Sequence, residues 1–197
     1  MAEIRIDTHI LSPNHPHWQM ILRGGTQFEI KVRDGIHGEV SAWTTVMQSA
    51  FPLRHNVVCA LQEAFPAAQL PSRISAPADL ISWLGGCASI CTVSKRMVHF
   101  KGVRGTAELT QVDTLGRRVE TFCLKASRLE AIVQTLDVIP GPRLPDTDYG
   151  SWLARRIPPV QATPPILAAP VLPVVPTAHI DRGPLLDARL FKLSRSA

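Results

Sequence analysis

No stretch of the sequence approaches the ~18 uncharged apolar residues that a membrane helix requires. The longest uncharged segment, 157–180, is broken by seven prolines, which a membrane helix does not accommodate. The opening residues Met1-Ala2-Glu3-Ile4-Arg5-Ile6-Asp7 have no basic region followed by an apolar run, so no secretion signal is expected. The expected setting is cytoplasmic, away from membranes.

Several chemistries lack their residues. There is no Walker sequence and no serine-centred nucleophile elbow, and Gly24-Gly25 sits between two strand-like runs rather than opening a helix. Cysteines number four: Cys59, Cys87, Cys91 and Cys123. Each lies in an apolar segment, which predicts reduced, buried thiols rather than disulfides or nucleophiles. A strand over Cys87-x-x-x-Cys91 would hold its thiols too far apart for one zinc. His15-Pro16-His17 has no cysteine near it in sequence. Neither a metal nor a cofactor is expected, and no catalysis.

What is present is a 197-residue chain with 45% hydrophobic and 19% charged residues, the balance of a globular domain with an appendage. Eleven of the seventeen prolines fall after residue 139. That skew divides the chain into a domain of residues 1–139 and a proline-rich arm of residues 140–197. The fold class expected for the domain is α+β, a mostly antiparallel sheet with four short helices.

The elements follow from period and punctuation. Ile4, Ile6 and Ile10 alternate with Glu3, Arg5, Asp7 and His9, the pattern of a half-buried strand. Runs 18–23 and 27–33 around Gly24-Gly25 predict a hairpin. Val40, Trp43, Val46, Met47 and Ala50 fit one face of a helix closed by Pro52. A second helix follows Asn56, with Val58, Leu61 and Phe65 inward. A third runs from Ala76 to Leu84, capped by Ser75 and stopped by Gly85-Gly86. Strands are predicted at 87–93, 97–101, 106–112 and 119–125, with turns at Lys95-Arg96 and Leu115-Gly116-Arg117. Ser127-Arg128-Leu129-Glu130 reads as a capping box opening a fourth helix. In the arm, a short helix is expected at 149–156, extended polyproline-like chain at 158–176, and an amphipathic helical turn or two at 184–193.

Charge is the most informative feature. Residues 1–94 have a net charge of −1 and residues 129–197 of +1, whereas 95–128 have +5. Lys95, Arg96, Lys101, Arg104, Arg117, Arg118 and Lys125 are therefore the candidate nucleic-acid-binding residues, a basic meander neutralising phosphates without reading bases. A solvated basic face would show the same charge. In the arm, Trp152 and the Leu186, Leu190 and Leu193 face are candidate partner-binding residues, on a protein partner or in self-assembly. The function expected is a non-enzymatic binding subunit of a larger complex. One alternative is an assembly subunit docking through its arm without nucleic acid, so that deletion after Pro140 leaves a folded domain. A second is a metal-dependent nuclease in the manner of the PD-ExK enzymes, with Asp7, Glu29 and Lys31 as its constellation.

Overall fold

The hairpin expected around Gly24-Gly25 forms, and it begins a barrel. A computed structural model describes residues 2–38, 40–103, 105–139 and 148–157, together with the backbone of 185–192. Gly24 and Gly25 take φ of 54° and 70°, left-handed values that glycine adopts without a Cβ clash. They join β2 (Trp18–Arg23) to β3 (Gln27–His37). Before them β1 (Glu3–Leu11) pairs antiparallel with β2. After them β4 (Val40–Ala50) pairs with β3.

Two helices then cross the outside of the sheet, α1 (His55–Ala64) and α2 (Pro77–Leu84). Their apolar faces, including Leu61 and Leu80, bury Ile10, Met20, Phe28 and Ile30 of the strands beneath. The chain returns as a meander of β5 (Ser89–Lys101), β6 (Thr106–Thr114) and β7 (Arg117–Ala126), with β5 hydrogen-bonded to β1. Helix α3 (Leu129–Val138) packs Ile132 against Leu124 and Ala126 of β7 and Val40 and Ala42 of β4. Helix α4 (Tyr149–Ala154) carries a third cluster, in which Tyr149, Trp152 and Leu153 meet Cys91, Val93, Val112 and Val119. Strand β8 (Leu185–Lys192) lies between β7 and β4, closing the strands into a barrel of order β1-β2-β3-β4-β8-β7-β6-β5. Among the described residues no helix is long and apolar enough to cross a membrane.

The α+β expectation holds: the sheet is antiparallel, curled, and accompanied by short helices. Several elements differ from expectation. Residues 40–50 form a strand, not a helix. In the register, Ile30 faces Met47 while Lys31 faces Thr45, so Val46 is an extra residue. Such a bulge breaks the period of two, and the apolar spacing it leaves at 43, 46, 47 and 50 imitates a helical face. Strand β5 runs unbroken through Lys95 and Arg96, where a turn was expected. Residues 185–192 are strand rather than helix.

Smaller corrections concern helix ends and thiols. The N-cap of α2 is Ala76, not Ser75, and Asp79 reaches back to the Ala76 N–H at 2.9 Å. The N-cap of α3 is Arg128, without the side-chain cap expected of Ser127. Of the free cysteines, Cys91 and Cys123 are buried as expected, but Cys87 is half-buried and Cys59 is exposed.

A charged barrel interior as candidate functional site

Strand alternation sends every second residue to the inside of a closed sheet. On β1 that set is Glu3, Arg5, Asp7 and His9, of which Glu3 at the strand's start is exposed; on the opposite face Ile4 and Ile6 are 74% and 55% exposed. The charged face of this strand is thus the buried one, the reverse of what hydrophobic patterning predicts. Asp7 is 0% exposed, Lys95 3% and Glu29 6%.

Register explains how these groups meet. Asp7 lies directly across from Arg23 of β2, and Arg5 across from Lys95 of β5. The Lys95 ammonium therefore reaches Asp7 on the diagonal, with Nζ donating to Oδ2 at 2.7 Å. Arg5 grips the same carboxylate through both of its oxygens, Nε to Oδ1 at 2.9 Å and Nη2 to Oδ2 at 3.2 Å. Arg23 donates to it from the other side at 3.3 Å and also pairs with Glu29. Lys31 lies 3.5 Å from Glu29, and the Thr45 hydroxyl donates to Glu29 at 3.3 Å. Across the barrel, Lys125 donates to Glu108 at 2.9 Å, and Thr110 donates to the same carboxylate at 2.8 Å.

Burial alone would push the Asp7 carboxyl up. The opposing attraction of Lys95, with the Lys95 hydrogen bond and then Arg5 and Arg23, outweighs it and brings the pKa down to about 2. Glu29 is moved the same way: burial opposes ionisation, and Arg23 and Lys31 overcome it. Both acids are held as carboxylates by neighbouring cations.

Helix α4 closes one end of this interior. Lys95 Nζ lies 4.3 Å from the centre of the Tyr149 ring, and the His9 ring centre is 5.5 Å from it. The Tyr149 hydroxyl shares a hydrogen bond with Thr121 at 3.0 Å. Asp148 caps the helix by accepting from the Ser151 N–H at 2.8 Å, while Arg33 stands 3.6 Å away. Beyond the ring, the interior opens into a polar cavity of about 160 Å³ lined by Arg5, Arg23, Lys31, Lys95, Lys125 and Trp43, among others.

The residues proposed from sequence do not share one face. Lys95 and Lys125 are inside the barrel, against the expectation of a single outer basic surface, because the pleat of β5 and β7 turns them toward Asp7 and Glu108. Arg96, Lys101, Arg117 and Arg118 are exposed, and Arg118 donates to Asp113 at 2.8 Å. Arg104 and Leu193 fall outside the described residues. Trp152, expected to await a partner, is 3% exposed within the chain's own core. The packed unit accordingly includes α4, beyond the expected boundary at 139. Leu186 and Leu190 are backbone neighbours of Ala126 and Phe122 in β8.

The trio Asp7, Glu29 and Lys31 does converge, yet each carboxylate is already engaged by arginine and lysine. Carboxylates so neutralised are poorly suited to collect a divalent ion. What sequence patterning missed was Arg5, Arg23 and His9. The signal was there: charges at every second position on paired strands imply a shared face, whichever side it occupies. No family model, curated protein or solved structure matches the chain.

Proposed function

We propose that this chain is a non-enzymatic binding protein whose barrel holds a small anion. The observation that carries this is a charge imbalance in a confined space. Among the described side chains, five cations, Arg5, Arg23, Lys31, Lys95 and Lys125, meet four carboxylates, the buried Asp7, Glu29 and Glu108 and the exposed Glu3 that pairs with Arg5. Concentrated positive charge in a low-dielectric enclosure favours an anion far more than the same charge on an open surface. The phosphate-neutralising role expected of Lys95 and Lys125 thereby moves from the outer face to the interior. Calorimetry of the full chain with small anions at low salt tests this. Binding that weakens in Lys31→Met and Lys125→Met, and not in Arg96→Ala, is the expected result. Absence of binding by any small anion would refute it.

A second reading, contact with a nucleic-acid backbone, is supported by an outer arginine group at the α4 end. Burial, and then the nearby charges of Arg117 and Arg155, lower the pKa of Arg156, so these three cations lie within electrostatic reach of one another. Charge reversal of Arg117 and Arg118 should then abolish salt-sensitive oligonucleotide binding without loss of stability. Unchanged binding in that variant would remove this reading.

A further inference from the structure

We infer that the outer wall formed by β1, β5 and β6 is a docking surface for a second copy of this chain. The outside of the barrel is its apolar face. Helices α1 and α2 cover it over Ile10, Met20, Phe28 and Ile30, and α3 covers it over Val40, Ala42, Leu124 and Ala126. Between those helices, among the described residues, the wall is bare. There Ile4, Ile6, Phe100 and Leu109 are 74%, 55%, 50% and 44% exposed, and Val98 is half-buried. Apolar side chains gathered on one water-facing surface favour association.

Register makes this wall complementary to itself. Ser94, Arg96, Val98 and Phe100 of β5 lie beside Asp113, Gln111, Leu109 and Ala107 of β6. A two-fold axis along the strands, midway between β5 and β6, sets each residue over its register partner in the second copy. Val98 then packs on Leu109, Arg96 meets the Gln111 amide, and the Ser94 hydroxyl meets the Asp113 carboxylate. Asp113 keeps its own Arg118 at 2.8 Å. An axis on β5 would instead oppose Arg96 to Arg96, and one on β6 would oppose Asp113 to Asp113. Midway between them, no like charges face each other.

Shape agrees with charge. Phe100 comes to stand over Ala107, and beside Ala107 an apolar groove runs to α3, lined by Leu124, Ala131 and Ile132. Ring and recess each occur twice, once on either side of the axis. In the same arrangement β1 faces β7, which lays Ile6 over the aliphatic stem of Arg118. Area sets the strength. The four strands β1, β5, β6 and β7, and the span from Ser94 to Phe100, give a footprint of roughly 19 by 23 Å at ~4.8 Å per strand and ~3.3 Å per residue. That is about half of a standard interface, so the dimer dissociates on dilution.

Sedimentation velocity of the full chain at about 5 and about 500 µM, which bracket weak association, tests this. Monomer at the lower concentration and dimer at the higher is the expected result. Leu109→Glu should weaken association by about tenfold or more, because the two-fold buries the added charge twice. Ile36→Glu, at a 61% exposed isoleucine of β3 outside this wall, should leave it unchanged. Circular dichroism and melting temperature show that each variant folds. If Leu109→Glu does not fold, Phe100→Ala replaces it and should weaken association severalfold. A parent that stays monomeric at the higher concentration overturns the proposal. So does a folded wall variant that dimerises like the parent. Neither result depends on whether the barrel binds an anion.

Discussion

Lys95 Nζ and Asp7 Oδ2 lie 2.7 Å apart at the centre of the barrel, from side chains 3% and 0% exposed. They come from strands separated by 88 residues, so the contact records closure of the sheet between its first strand and the meander. Their environments are unequal. Asp7 also receives two further cations, Arg5 and Arg23, whereas Lys95 meets Asp7, the His9 ring nitrogen and the face of Tyr149.

That inequality predicts asymmetric mutational costs. Asp7→Asn leaves three cations facing each other and should cost about 3–5 kcal/mol. Lys95→Met leaves Asp7 with two arginines and should cost less, about 1–3 kcal/mol. Urea unfolding of both variants and the double variant measures the coupling. Equal single costs with no coupling would show that the pair is incidental to stability.

Acid should destabilise the fold through the same carboxylate. The Asp7 pKa falls from 3.8 in the unfolded chain to about 2 in the folded one. A folded pKa below the unfolded value contributes stability that is complete above the unfolded pKa and disappears as pH falls through the folded one. The window is therefore pH 4 to 2, and the contribution is on the order of 2 kcal/mol at 1.36 kcal/mol per unit. Glu29 acts in the same direction. Unfolding free energies measured against pH should fall less steeply in Asp7→Asn than in the parent. Parallel slopes would assign the acid sensitivity to other groups.

One turn carries a residue that its backbone disfavours. Leu115 and Gly116 have φ of 51° and 68° between Thr114 and Arg117, which face each other in the register. Both positions of such a two-residue turn require left-handed backbone, for which asparagine and glycine are suited and leucine is not. Leu115 is 49% exposed, so little packing would be lost with it. Leu115→Asn should raise stability by about 0.5–1 kcal/mol, seen as a higher melting temperature. A lower one would show that the leucine packs more than its exposure implies.

The β2–β3 and β6–β7 hairpins, α1 and α2 were legible because local chemistry decides them: paired glycines set the first turn, and Val58, Leu61 and Leu80 hold a helical period. Elements decided by the closed barrel were not legible. A lysine in the middle of β5 signals a turn only if it must reach water, and Lys95 reaches a carboxylate instead. The bulge at Val46 disguised β4 as a helix. Ile4 and Ile6 suggested the buried face of β1 because patterning assumes an apolar interior, whereas this interior holds Asp7, Lys95 and Glu29. The site residues Arg5, Arg23 and Glu29 become a group only once β1, β2 and β3 are in register.

Helix α4 is where the arm, expected to be separable, matters most. Tyr149, Trp152 and Leu153 are 1%, 3% and 0% exposed and fill the end of the barrel beneath the ionic cluster. Removing them would expose Cys91, Val93, Val112 and Val119, and would let water reach the Lys95–Asp7 pair. Truncation after residue 139 should therefore cost cooperativity of unfolding, in contrast to the sequence expectation of an intact remaining domain. Trp152→Ala in the full chain should cost about 3–5 kcal/mol, as for a large core aromatic. Tyr149→Phe keeps the ring over Lys95 and loses the hydroxyl with its bond shared with Thr121, so about 1 kcal/mol is expected. Circular dichroism and urea unfolding of the three proteins order them. A truncated chain as stable and cooperative as the parent would mean that α4 rests on the barrel without sealing it, and the anion cavity would then be open at both ends.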